Sequence, residues 1–345
     1  MQGLLVAIAG GVLTIIAWLS VLRTIFTPRQ RSTRAARWTI RVIATISLPI
    51  ARRLSSRLCE QFLDPCASLA LFATAASWLA AVVTGFTLMA WGIYDVPFHS
   101  ADIADFFLLR SNGMLLVVVA LLSTALLLAA FTTHLVRFTG AYSRRERLVA
   151  RLAGQAVRPP DAEALLADYV RTGSRDRLDD LFAEWTGWLA DIWCTHVGYP
   201  ALTFARPANS LCWLKAAVIV LDAAGLTQAV APKWAPPHTR SLIQTGSHCL
   251  QQLAKQVGVT PASAPVSLHG REEQGFSDSV RLMVDAGLPK QRDEPESWDA
   301  FQDLRIHYAP YAAGIAAYLL YEDVDALPRL GDEAAAGGAP AHTET

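Results

Sequence analysis

No aspartate or glutamate occurs before Glu60, whereas residues 23–57 hold nine arginines. An acid-free stretch of this kind excludes the mixed-charge surface that a soluble domain needs. Charge is scarce overall, at 17% of 345 residues, and 30 basic side chains balance 30 acidic ones. No nucleic acid is expected as a partner. Cysteine is scarce too: Cys59, Cys66, Cys194, Cys212 and Cys249 are odd in number, and no pair has metal-ligand spacing. That pattern excludes a disulfide framework and a thiolate metal site, and leaves five free thiols. No phosphate-cradling G-x-x-x-x-G-K-[ST], no G-x-S-x-G elbow and no H-E-x-x-H occurs, so no cofactor, metal or catalytic role is expected. Ser247 and His248 are neighbours, but adjacent helical side chains point apart, and no acid stands near to orient the histidine.

What the chain has is long apolar runs. Residues 3–22, 65–94 and 111–136 carry no aspartate, glutamate, lysine or arginine. A helix rising about 1.5 Å per residue needs about 20 such residues to cross the hydrocarbon core. The bilayer interior offers the backbone no water, so such runs are expected as three membrane-spanning helices. Arginine is concentrated after the first run and again after the third (Arg137, Arg144, Arg145, Arg147, Arg151), whereas 95–110 holds Asp95, Asp102 and Asp105 against Arg110 alone. Positive residues stay inside. The predicted topology in the cell membrane puts the N-terminus outside and everything after Arg137 in the cytoplasm. The first run has no basic residue before it, unlike a cleaved leader, so it is expected to be retained.

The chain divides accordingly into a first span (1–27), a basic interfacial segment (28–64), two further spans with a short outer loop (65–143), a cytoplasmic helical domain (144–328) and a disordered tail (329–345). In the basic segment Arg31, Arg34, Arg37 and Arg41 fall within about 120° of a helical wheel, opposite Ile40, Val42, Ile43 and Ile46. With Trp38 near the boundary, this predicts a helix in the membrane surface, its arginines on anionic headgroups and its isoleucines toward the acyl chains. His134 lies inside the third run and is expected to bond a neighbouring helix. Beyond Pro159-Pro160, helical periodicity marks 161–171, 176–204, 211–230, 238–257, 278–288 and 296–321, with Asp161 as an N-cap and Gly258 and Gly287 as C-caps. The predicted class is all-α. The run 211–231 is apolar enough to be a fourth span, but Lys215 and Asp222 would each cost about 2.5–3.5 kcal/mol near a membrane centre. It is expected as the central helix of the cytoplasmic domain, with both charges turned to neighbouring helices.

The layout resembles bacterial potassium-channel-like membrane proteins, members of the ion-channel superfamily, with a cytoplasmic helical domain. The likeness covers nearly the whole chain. It rests on Trp188-Leu189-Ala190 followed by Tyr199-Pro200-Ala201-Leu202, and on Ala286-Gly287-Leu288-Pro289 followed by Trp298, Phe301, Leu304, Arg305, Tyr308 and Pro310. The resemblance implies a span, an arginine-rich connection, a span–loop–span unit and a helical domain. The loop departs from it: residues 95–110 contain Pro97 but no glycine, and are too short for a pore helix with a carbonyl-lined filter. The string Thr195-His196-Val197-Gly198-Tyr199-Pro200 is similar to a filter, yet lies in the cytoplasmic part with proline at the second glycine position. The expectation is a channel-like, homo-oligomeric membrane protein without a potassium filter. Its cytoplasmic domain would act as a sensor or scaffold for an unknown partner or ligand. The alternative is an unselective or differently selective channel or transporter gated by the cytoplasmic domain, with Asp95, Asp102 and Asp105 as an acidic outer vestibule.

Overall fold

The computed structural model describes residues 2–25, 34–94, 114–155, 161–207, 211–261 and 271–321, and among them there is no strand. The chain forms two compact units, Met1–Tyr142 with His196–Ala205, and Ser143–Thr195 with Arg206–Thr345. Among the described residues, four helices are long and apolar enough to cross a membrane by length and composition. Asp95, Asp102, Asp105, Arg31 and the tail lie outside the described residues.

The first unit is built on α1 (Gln2–Ile25) and α4 (Cys66–Tyr94), both uncharged over almost their whole length. They run antiparallel, because Gly3 meets Gly92 while Gly10 meets Gly85. Each pair is seven residues apart, so the glycines repeat on one face at two helical turns. The helices touch through backbone: a methyl group added at Gly3 would lie 2.8 Å from the Gly92 carbonyl oxygen. Close small-residue contacts replace hydrophobic drive where the solvent is itself apolar. Larger residues interlock beyond the glycines, with Ala17, Val21, Ile25, Trp78, Val82 and Phe86 buried together with Leu127. Leu127 comes from α5 (Met114–Gln155), whose first part belongs to this unit. Two indoles tie the three helices, Trp18 donating to Ser123 Oγ at 2.8 Å and Trp78 to Ser20 Oγ at 3.1 Å. Arg137 on α5 donates to the carbonyl of Ile25 at 2.7 Å, placing a cation on the exposed C-terminal carbonyls of α1. Leucine, isoleucine and valine side chains point outward from α1, α4 and α5, including Leu5, Ile15, Leu69, Val83, Leu121 and Val136.

Between α1 and α4 lie α2 (Arg34–Ala51) and α3 (Ser56–Leu63). The amphipathic helix expected from the arginine spacing exists, and Pro49 sits in its last turn. Its apolar face differs from expectation. Ile40 and Ile43 pack on Ala67, Ala70 and Leu71 of α4 rather than facing outward, while Ile46 and Ile50 remain exposed. The face is wide enough to serve both directions. Arg41 is exposed.

In the second unit the end of α5 is followed by α6 (Ala162–Arg171), α7 (Arg175–Gly198), α8 (Trp213–Val230), α9 (Thr239–Val257), α10 (Arg271–Asp285), α11 (Glu294–Arg305) and α12 (Ala309–Leu319). Asp161 caps α6, accepting from the Ala164 amide, and Gly258 ends α9 in the left-handed region at φ 76°. Gly287, at φ 110°, follows the end of α10. The central helix is α8, in which every residue except Lys215 and Gln228 is buried. This helix is itself one of the four apolar enough to span, and it is enclosed within the second unit.

Two expected helices are broken, both by proline. The run 176–204 is α7 to Gly198, then a 3-10 turn Pro200–Phe204, because the residue before a proline is pushed out of the α region. The run 296–321 is split into α11 and α12 at residues 306–308, since Pro310 has no N–H to continue the ladder. The 3-10 turn also changes unit: sequence placed 196–205 in the second domain, and the structure returns it to the first.

Candidate functional site

A buried polar arrangement surrounds Asp222, the only acidic residue of α8 and 3% exposed. Its Oδ1 accepts from Tyr308 Oη at 2.7 Å and from Arg305 Nε at 3.2 Å. Tyr308 stands at the break before Pro310, so the helix interruption is what aims its phenol at α8. Burial, reinforced by the Asp222 charge, holds that phenol well above its usual range near 10. Gly225, one turn further along α8, lets α11 close in: a methyl there would lie 3.1 Å from the Phe301 ring and 3.3 Å from Tyr308 Oη. Phe301 stacks on Phe276 at 5.6 Å, and Trp298 meets Phe276 at 5.1 Å. Of the residues singled out in the sequence, Arg305 and Tyr308 are thus brought together on an aspartate that the same reading had turned toward neighbouring helices, and Trp298 meets Phe276.

Glu163 was not singled out. It lies on α6 within the stripe Ala162, Leu166, Ala167 and Val170, all buried, and its Oε2 is buried without a hydrogen-bond partner. Burial raises its carboxyl pKa to about 7, with the charges of Asp161 and Asp222 adding to the effect and a Ser279 hydrogen bond opposing it. The folded state therefore holds a proton that the unfolded chain releases from the ordinary value of 4.5 upward. Stability contributed here is full below pH 4.5 and is lost as pH rises to about 7, by up to about 3 kcal/mol at 1.36 kcal/mol per pKa unit. Glu163→Gln should flatten this slope between pH 5 and 8, with the variant the more stable at pH 8. Denaturant unfolding of the full chain across that range checks it, and identical slopes for both proteins would sink the assignment.

A second cluster holds Trp188. Its Nε1 donates to the Arg145 carbonyl at 3.1 Å and its ring meets Trp185 at 4.7 Å. Arg145, 1% exposed, pairs with Glu146 at 2.8 Å and lies 5.9 Å from the Trp213 ring centroid. On the surface, Arg151 forks onto both carboxylate oxygens of Glu184 and Arg144 bonds Asp191, so charge as well as burial joins α5 to α7. A cleft of about 290 Å³ between α7 and α9 is lined mainly by apolar groups, with Trp193 and His248 ring to ring at 5.1 Å. His248 opens toward this cleft whereas Ser247 is buried, so the two neighbours do not form a nucleophile–base pair. Cys249 lines the cleft, its thiol pushed up to about 12 by burial.

In the first unit, Tyr199 meets His134 and Pro200 is buried at the start of the 3-10 turn. The rings of Tyr199 and His134 lie 5.2 Å apart, and Phe138 meets Tyr199 edge-on at 6.4 Å. His134 was expected to hydrogen-bond a neighbouring helix; its Nδ1 has no such bond, and the ring is held between Tyr199 and Trp78. Gly287 and Pro289 follow the end of α10. Arg34, Arg37 and Trp38 lie on α2 as expected, with side chains outside the described set. Among the described residues no group of histidine, cysteine and carboxylate side chains has metal-binding geometry. Comparison with protein-family models, curated proteins and solved structures finds no match.

Proposed function

We propose that this is a three-span membrane protein of channel-like layout that lacks a potassium filter and works as a membrane-anchored sensor or scaffold. In this reading α1, α4 and α5 cross the cell membrane with the N-terminus outside, and the second unit is a cytoplasmic domain that engages an unknown partner or ligand. The arginines of α2 rest on anionic headgroups, and the chain assembles as a homo-oligomer. The resemblance to potassium-channel-like proteins supplies the architecture only. The absence of glycine from 95–110 removes the filter.

One observation carries the choice of sensor over channel. Hydroxyl groups on the candidate spans are spent on their own helix or on an indole: Thr74, Thr87, Thr132 and Thr133 each donate to the carbonyl four residues back, and Ser20 and Ser123 accept from indoles. A conducting path needs polar groups facing water, and such back-bonded threonines offer little. Purified protein in liposomes should therefore show no potassium-over-sodium selectivity and no response to barium. Labelling in cells tests orientation: an impermeant thiol reagent should reach Ser100→Cys on intact cells and Ser174→Cys only after lysis. A barium-blocked potassium current, or reversed labelling, would overturn the reading.

A further inference from the structure

Two short helices precede α4, and protein covers only part of the apolar side of each. On α2, Ala44, Leu48 and Ala51 are buried, while Ile46 is 61% exposed and Ile50 is exposed beside it. On α3, Cys59 and Leu63 are buried, while Leu58 is 52% exposed and Phe62 is exposed too. Leu58 and Phe62 are four residues apart, so they stand one above the other. At about 100° per residue they fall next to Cys59 and Leu63, and Arg57, Glu60 and Gln61 take the opposite side. Each helix therefore has an apolar arc wider than the protein it packs on.

The uncovered residues stand close to where the chain enters α4. Only Asp64 and Pro65 separate α3 from α4, which leaves Leu69 and Phe72 exposed in its first two turns. α2 packs on both α3 and α4. The turn between α2 and α3 carries Arg52 and Arg53, and Arg57 follows in the first turn of α3. That turn is closed by the Arg53 amide on the Ile50 carbonyl and the Leu54 amide on the Ala51 carbonyl, both at 3.0 Å. All three arginines are exposed, and among the described residues none of them forms an ion pair. The acids Glu60 and Asp64 come only after them. Water is a poor solvent for large apolar side chains on two consecutive helices, whereas a membrane surface offers acyl chains beside phosphates.

We propose that residues 46–62 form a lipid site apart from the arginines of α2, in which Leu58 and Phe62, with Ile46 and Ile50, enter the acyl zone while Arg52, Arg53 and Arg57 hold the phosphates of anionic lipid. The proposal rests on the reading of α4 as a span, which sets the level at which these residues stand. Binding of a surface helix scales with the apolar area it buries plus its attraction to anionic lipid, and both are present here. Arginines that only fixed topology would need no apolar residues uncovered beside them.

Nitroxide labels on the full chain, in vesicles of phosphatidylglycerol and phosphatidylcholine, test the depth. Cys194 is the one exposed thiol of the five, so single cysteines can be placed on a Cys194→Ser background. Labels at Leu58→Cys and Phe62→Cys should relax with oxygen, which gathers among acyl chains, and a label at Gln61→Cys with a water-soluble nickel chelate. Val83→Cys, on an exposed position of α4, is the reference for the span. Nickel access at Leu58 and Phe62 beside oxygen access at Val83 overturns the lipid site and leaves the span standing. Nickel access at Val83 overturns the span reading and the lipid site with it. Dipolar broadening between labels at Leu58 puts a second copy of the chain on this face and also overturns the site. Charge is tested by Arg52→Gln, Arg53→Gln and Arg57→Gln together. The triple variant should retain less phosphatidylglycerol relative to phosphatidylcholine through purification, by about fivefold or more. Unchanged retention would leave these arginines as topology signals and overturn the phosphate contact.

Discussion

Asp222→Ala should cost the full chain about 3 kcal/mol, a large share of what a domain of this size has. The substitution takes a carboxylate from beside Arg305 and from the phenol of Tyr308, which is fully buried. Breaking a buried ion pair typically costs about 3–5 kcal/mol, because the remaining charge has lost its compensation. The lower end applies, since the Arg305 side chain is 20% exposed and retains some water. Tyr308→Phe leaves the Asp222–Arg305 pair and forfeits one hydrogen bond to a charged group, for which about 1.5–3 kcal/mol is typical. A second readout separates this network from general damage. The Asp222 charge is among the causes that raise Glu163, so Asp222→Ala should shift the Glu163 titration to lower pH. Unfolding by denaturant at pH 6 and 8 gives both numbers. An Asp222→Ala protein of native stability would show that the pair is incidental.

The sequence revealed most where physics depends on composition alone. Three uncharged runs needed only length to be read as helices, and Asp222 inside the fourth marked a helix with polar partners, which Arg305 and Tyr308 supply. Breaks at Tyr199 and near His307 were legible in principle, because Pro200 and Pro310 forbid continuation. Apolar periodicity persisted across both prolines and favoured one long helix each time. What periodicity cannot report is the partner. Leu202 and Ala205 carry the same apolar signal whether they bury against their own domain or against other helices, so the return of 196–205 to the first unit left no local trace. Arg305 and Tyr308 lie 83 and 86 residues from Asp222, beyond the reach of any spacing argument. Glu163 was readable and passed over. An acid on the apolar stripe of a short helix is a buried acid, and burial is what moves its titration. On α2 the isoleucines were correctly placed opposite Arg41, but a wheel does not distinguish lipid from a neighbouring helix.

Gly85→Leu should dislodge α1 from α4. A side chain at Gly85 would overlap Thr14 Oγ1 and stand 2.8 Å from the Gly10 carbonyl oxygen and 3.2 Å from the Thr14 amide nitrogen. Two of these three neighbours are backbone, so no rotamer change makes room, and the helices must part. Overpacking of a close-fitted core costs about 1–3 kcal/mol, and a helix pair whose contact is backbone on backbone belongs at the upper end. The damage has a local signature. The bonds of Trp78 to Ser20 and of Trp18 to Ser123 both require α1 in place, so tryptophan emission should change along with the unfolding temperature. Gly11→Leu is the control, because a methyl at Gly11 meets nothing within 4 Å. That variant keeps the crossing and exchanges glycine for a good helix former, so its unfolding temperature should be unchanged or slightly higher. Equal stability of Gly85→Leu and Gly11→Leu in the detergent-purified full chain would mean that α1 and α4 do not meet through these glycines.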